Sequence, residues 1–198
     1  MLAILILAAG ASSRMRGRDK LLEEIDGVAQ LRRIADAALA TGAPVYVTLP
    51  PDRPLRAAAL AGCAVRIVEV PDAAEGMGAS LRAGVAALDD GLAGVMVVLA
   101  DLVEVTADDL AALGAAWDSA RDAVWRATAQ DGRHGHPVNF PARLFGALAQ
   151  VSGDSGARAV YAAEGARTRH LPLPGARATT DLDTPEDWAA WRAASGRE

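Results

Sequence analysis

The chain has 198 residues, 52% of them apolar and 4% aromatic, with a net charge of −5. That length suits one domain over residues 1–198 with a sizeable core, and the apolar share excludes a disordered chain. The acidic balance, with no basic face, argues against nucleic-acid binding, and no apolar run is long enough to span a bilayer. One cysteine, Cys63, excludes a disulfide framework. It is expected as a buried small hydrophobe within the run Ala61 to Val65.

The start, Met1-Leu-Ala-Ile-Leu-Ile-Leu-Ala, is apolar like a signal peptide but has no basic residue ahead of it. Residues 2–8 read instead as a buried parallel strand, and the chain reads as cytoplasmic. A Gly/Ser/Arg loop then runs to about Lys20. The spacing of Leu31, Ile34, Ala35 and Ala38 predicts a helix over 28–41, closed by Gly42. Val45 to Leu49 reads as a strand, 53–61 as a short helix, Val65 to Val70 as a strand and 77–89 as a helix. Gly94 to Ala100 is a continuous apolar run that stops at Asp101. Thr106-Ala-Asp-Asp109 reads as a capping-box variant that starts a helix reaching Trp117. Ala123 to Thr128 reads as a strand, and the polar, Gly-rich stretch 129–139 as a loop. Asp154 and Thr184-Pro185 read as helix starts. Such alternation predicts an α/β chain with helices on both faces of the sheet.

Five segments carry candidate chemistry. In the first, Leu7-Ala-Ala-Gly-Ala-Ser-Ser-Arg-Met-Arg-Gly-Arg-Asp-Lys20, small residues let phosphates approach backbone N–H groups. Arg14 and Lys20 would neutralise their charge. It matches neither a Walker A loop nor the Gly-x-Gly-x-x-Gly pattern, and the competing reading is a solvated loop. Lys20 is the only lysine; every other basic residue is arginine. That points to a role for a compact ammonium rather than a planar fork. Asp101 ends an apolar strand, the edge where open α/β sheets bind ligands, and suits Mg²⁺. The alternative is a turn aspartate. Asp181 and Asp183, two apart on an extended segment, point to one side. The capping chemistry of Thr184 to Asp187 accounts for its own residues, not for those two.

His136, in Gly135-His-Pro137-Val, could be a general base or an orienter. The three histidines, His134, His136 and His170, lack zinc-ligand spacing. Gly153-Asp154-Ser-Gly156-Ala-Arg158 is a tight turn into a helix, read either as an anion site or as ordinary capping. Trp117, Trp125, Trp188 and Trp191 read as packing residues.

With Gly76-Met-Gly-Ala-Ser80-Leu-Arg82-Ala-Gly84 between the first two segments, these motifs in this order resemble the MobA-like nucleotidyltransferase family. The nearest branch is its molybdenum cofactor cytidylyltransferases. The resemblance implies a Rossmann-like three-layer α/β/α sandwich with a mostly parallel sheet, like the nucleotide-diphospho-sugar transferases. It implies attack of a phosphate monoester on the α-phosphorus of a nucleoside triphosphate, with release of pyrophosphate. The acceptor would be the terminal phosphate of molybdopterin, and a molybdoenzyme apoprotein a further partner. Arg14, Lys20 and Asp101 would be catalytic, with Mg²⁺ on Asp101 and Asp183. Leu7, Ala8, Ala9, Gly10, Ala11, Ser12, Ser80, Gly84 and Ala100 would face the nucleotide. His136, Pro137, Asp154 and Asp181 would face the acceptor.

Leu-Ala-Ala-Gly and Asp-x-Asp favour CTP, where guanylyltransferases tend to read Leu-Ala-Gly-Gly and Asn-x-Asn. The chain departs from the family at Arg16, usually Gly, and at Val103, usually Pro. The alternatives are GTP as donor, another acceptor such as a sugar phosphate or phospholactate, or a non-catalytic cofactor-binding accessory protein.

Overall fold

Alternate residues of the first strand enter different cores, which is why its sequence is apolar without a break. In the computed structural model, which describes residues 1–153 and 156–197, β1 is Leu2–Leu7. Ile4 and Ile6 pack on one face with Leu31, Ile34, Leu110 and Leu113. Leu5 and Leu7 pack on the other with Leu81, Val85 and Leu148. Each such side chain contributes about 1.5–3 kcal/mol on burial.

A small hairpin, β2 (Glu24–Ile25) and β3 (Val28–Ala29), follows the Gly/Ser/Arg loop and leads into α1 (Gln30–Leu39). Then come β4 (Val45–Leu49), α2 (Pro54–Ala59), β5 (Arg66–Glu69), α3 (Met77–Ala86), β6 (Gly94–Leu99) and α4 (Ala107–Asp118). The chain continues with β7 (Val124–Thr128), β8 (His134–Pro141), α5 (Phe145–Leu148), α6 (Arg158–Glu164), β9 (Thr168–Pro172) and α7 (Pro185–Ser195). The sheet order is β5-β4-β1-β6-β8-β7-β9. Only β8 runs antiparallel to its neighbours. Helices α1 and α4 cover one face, α3 and α5 the other, so the sandwich has three layers.

Local chemistry explains the helix starts. Thr106 accepts from the Asp109 N–H and Asp109 returns a bond to the Thr106 N–H, closing a capping box worth about 1 kcal/mol. Thr184 and Asp187 repeat it ahead of Pro185, fixing where Asp183 leaves the chain. Gly42, at φ 76°, donates back to Leu39 and ends α1. No helix among the described residues is long and apolar enough to cross a membrane.

Three expectations need correction. The stretch 129–139 is not all loop: β8 starts at His134 and lies in the sheet between β6 and β7. Its composition misleads for physical reasons. Gly135 passes so close to Ala178 that a Cβ would lie 1.9 Å from the Ala178 carbonyl oxygen. Pro137 has no N–H for the ladder, and the β7–β8 pairing shifts register between Arg126 and Thr128, opposite it. Buried Asn139 donates to the Leu113 carbonyl at 2.9 Å. Secondly, Thr168–Pro172, to which the sequence assigns no element, forms the edge strand β9, with Leu171 its one core-packed apolar residue. Thirdly, Cys63 is half-buried at the margin of the core rather than inside it. Trp117 and Trp188 are fully buried, while Trp125 and Trp191 are half-buried. The helix start expected at Asp154 lies outside the described residues; α6 begins at Arg158.

Candidate active site

At the carboxyl ends of β1 and β6 the parallel strands open into a cleft of about 450 Å³. One wall is the loop from Leu7 through Arg14, with Lys20 at its far end. Gly76, Met77 and Ser80, at the start of α3, form the opposite wall. Asp101, Asp181 and Asp183 line the floor. Of the expected nucleotide contacts, Leu7, Ala8, Ala9, Gly10, Ala11, Ser12 and Ser80 line the cleft.

Gly84 and Ala100 do not. A Cβ on Gly84 would sit 2.5 Å from the Leu5 side chain, so this glycine lets α3 lie close on β1. Ala100 is buried, and its carbonyl is turned to Gln30. Arg82 also turns away, to the Val151 carbonyl and Glu75.

The Lys20 ammonium lies 2.6 Å from Asp101 Oδ2 and 2.6 Å from Asp183 Oδ1. Arg14 reaches the other Asp183 oxygen at 2.8 Å. Burial alone would lower the Lys20 pKa; Asp101 and then Asp183 outweigh it and raise it, so the lysine is cationic. Burial, then the neighbouring Asp101 carboxylate, raises the Asp181 pKa. Carboxylate oxygens of Asp101, Asp181 and Asp183 lie within 4.8 Å of one another. Asp101 Oδ1 is buried without a hydrogen-bond partner among the described residues. Clustered carboxylates with an orphaned buried oxygen have the chemistry of a site for a hard divalent cation.

Two residues that hold this geometry escaped sequence reasoning. Gln30 is buried at the head of α1 and donates to the carbonyls of Ala100 at 3.0 Å and Leu102 at 3.3 Å. It thereby brackets Asp101 on both sides. Across from it Leu102 makes an isolated bridge to Asp181, which brings the two acidic segments together. Arg56 on α2 is fully buried. It grips Asp19 with two nitrogens, at 2.7 and 2.9 Å, and also donates to the Ala8 carbonyl at 2.6 Å and to Ser12 Oγ at 3.1 Å. Burial would raise the Asp19 carboxyl pKa, and Arg56 reverses that. One guanidinium therefore ties the start of the loop to the residue before Lys20. No motif marks Arg56; the only sequence signal is an arginine on the inward face of a short helix.

Arg16 has a left-handed backbone, φ 52°, the region a glycine enters at no steric cost. Arg16 therefore sits in a conformation that suits glycine, and its side chain pairs with Glu186 at 2.7 Å. Val103 is buried with Met15, Ile25, Leu182 and Trp188, beneath the acidic floor.

His136 and Pro137 lie one strand over, on β8, and do not line the cleft. The His136 backbone N–H donates to the Ala178 carbonyl. Burial, then the Arg126 guanidinium, pushes the imidazole from 6.5 down to about 4, so it is neutral near pH 7. Asp154 lies outside the described residues.

The sequence profile of the MobA-like NTP transferase domain matches residues 4–170. No curated protein sequence matches significantly. Among solved structures, Rv0371c from Mycobacterium tuberculosis H37Rv superposes with a TM-score of 0.84 at 27% identity, over 96% of this chain and 95% of that one. A manganese complex of Rv0371c gives 0.78 at 26% identity, over 96% of each chain. A nucleotidyl transferase from Methanothermobacter gives 0.76 at 20% identity, over 98% and 97%, and shows the shared fold.

Proposed function

Because the chain belongs to the MobA-like NTP transferase family, and is a nucleotidyltransferase, we propose that it transfers CMP from CTP to the terminal phosphate of a molybdopterin-type acceptor, releasing pyrophosphate. The observation that carries the reaction class is the Lys20 ammonium set between Asp101 and Asp183 at the mouth of the small-residue loop. Backbone N–H groups of that loop would donate to the triphosphate. Lys20 and Arg14 would neutralise its charge and follow it into the transition state. Asp101 and Asp183, with Asp181 beside them, would hold a divalent cation, Mg²⁺ in this reading. That ion supplies further charge neutralisation on the phosphates. The protein's share is positioning and electrostatics, as in phosphoryl transfer generally.

The choice of CTP rests on Ala9 and on the two aspartates of Asp181-Leu-Asp183. Ala9 lines the cleft beside Ala73 and is buried against Ala79, so its methyl narrows the space next to the backbone. A purine pocket with glycine there has more room. His136, Pro137 and Asp181 are assigned to the acceptor side.

The test is pyrophosphate release from each of the four triphosphates with Mg²⁺ and molybdopterin. CTP should be turned over fastest, and Ala9→Gly should raise the rate with GTP relative to CTP. A preference for GTP in the unaltered protein would overturn the base assignment. Turnover only with another phosphate acceptor would overturn molybdopterin. Triphosphate binding without pyrophosphate release from any acceptor would favour an accessory binder.

A further inference from the structure

The three histidines of the chain, two on β8 and one on β9, gather around one guanidinium. Arg126 on β7 pairs in register with His170 on β9 and with Val138 on β8. His134 on β8 pairs with Thr128, two residues along β7 from Arg126, and the His136 imidazole lies near enough to feel the Arg126 charge. His134 and His170 are exposed, with ring centroids 4.5 Å apart, edge to face.

Arg126 itself is half-buried. Its Nε donates to the Gly135 carbonyl at 3.0 Å. Its guanidinium lies over the Tyr161 ring at 4.5 Å, which fixes the plane. Among the described residues it has no carboxylate partner. Buried Arg56 and half-buried Arg177, by contrast, each hold one, and half-buried Arg33 turns its guanidinium to Gln30 and the Val103 carbonyl. A chain with net charge −5 thus keeps a fixed, uncompensated cation in a setting of imidazoles.

The cluster lies on the same sheet face as the cleft. Val138 pairs with Val97, and Leu99, two residues further along β6, lines the cleft before Asp101. Two strand spacings, about 10 Å, separate β7 from β6.

We infer that Arg126, flanked by His134 and His170, is a subsite for an oxyanion carried by the acceptor, remote from the phosphate that reacts. A planar guanidinium with free terminal nitrogens binds such a group with two charge-assisted hydrogen bonds. The inference rests on the proposed transfer reaction only for what carries the oxyanion into the site.

Inorganic phosphate is the probe, and the imidazole C–H resonances are the reporter, because every histidine of the chain belongs to this cluster. With the cleft occupied by CTP and Mg²⁺, and again without nucleotide, phosphate should shift the His134 and His170 signals saturably. Arg126→Gln should weaken the phosphate Kd at least about tenfold, and Arg126→Lys should restore part of it. Should Arg126→Gln fail to fold, His134→Glu, an exposed change that sets a carboxylate beside the guanidinium, should bring the same loss at His170. Absence of a saturable shift in the unaltered protein, or an unchanged Kd in Arg126→Gln and His134→Glu, would overturn the subsite. Stabilisation by CTP is read on the same samples. A histidine response without it supports the subsite and counts against the CTP reading; CTP stabilisation with no histidine response does the reverse.

Discussion

Two sites on the sheet, one in each half, handle charge in opposite ways. On the side of β5, β4, β1 and β6, charges are concentrated and paired: Lys20 with Asp101 and Asp183, Arg14 with Asp183, Arg56 with Asp19. On the side of β8, β7 and β9, Arg126 has no carboxylate partner among the described residues and His136 is held neutral. The first arrangement suits a metal–triphosphate site, where compensating charges exchange partners when an anion and a cation arrive together. The second suits a ligand whose charge completes the site. If this division is right, changes in the first half should remove turnover, and changes in the second should alter acceptor recognition or pH response.

The largest effect is expected from Lys20→Ala, which removes the one ammonium in the cleft. We predict a fall in kcat of about 10²–10³-fold, read by pyrophosphate release, with the fold intact by circular dichroism. Activity equal to the unaltered protein would break the comparison at its strongest point. Arg56→Met comes next. It leaves Asp19 half-buried without its partner, so urea unfolding should show a loss of about 3–5 kcal/mol. The triphosphate affinity should fall as well, because the loop is freed at both ends.

The third prediction concerns the other half. Between about pH 6.5 and 4 the unfolded chain takes a proton on His136 that the folded chain refuses. Stability is therefore full above that window and falls as pH drops through it. His136→Gln should flatten this part of the pH–stability curve; an unchanged curve would show that the imidazole is not held neutral. The smallest effect is expected from Arg16→Gly. It trades left-handed strain for chain entropy and an exposed ion pair, so the urea midpoint should move by less than about 1 kcal/mol.

The same division decides how much was legible in the sequence. Strands β1, β4 and β6 are buried on both faces, and their apolar runs announce them together with the edge where they stop. Asp101, Asp181 and Asp183, which line one cleft with Lys20, are legible because each stands where such a run ends or just ahead of a capping motif. Strand β8 reads as a loop because its glycine and proline answer to Ala178 and to a register shift, contacts that local composition does not encode. Gln30 and Arg56 were missed for a related reason. Each acts through a fold-dependent contact with a backbone carbonyl, Ala100 in one case and Ala8 in the other. Gly84 shows the opposite case: its place in a motif points to a ligand, while the contact the fold gives it is with the Leu5 side chain.

The central claim is that the carboxylates of Asp101 and Asp183 and the Lys20 ammonium form one metal-dependent triphosphate site. The direct measurement is thermal stabilisation by CTP, with and without a divalent cation, in the unaltered protein and in Asp101→Asn. Ligand that binds only the native state raises its stability. CTP should stabilise the unaltered protein strongly with Mg²⁺ or Mn²⁺ and weakly with a chelator, and Asp101→Asn should lose the difference. Equal stabilisation with and without the metal, or a metal-dependent gain that survives Asp101→Asn, would contradict it.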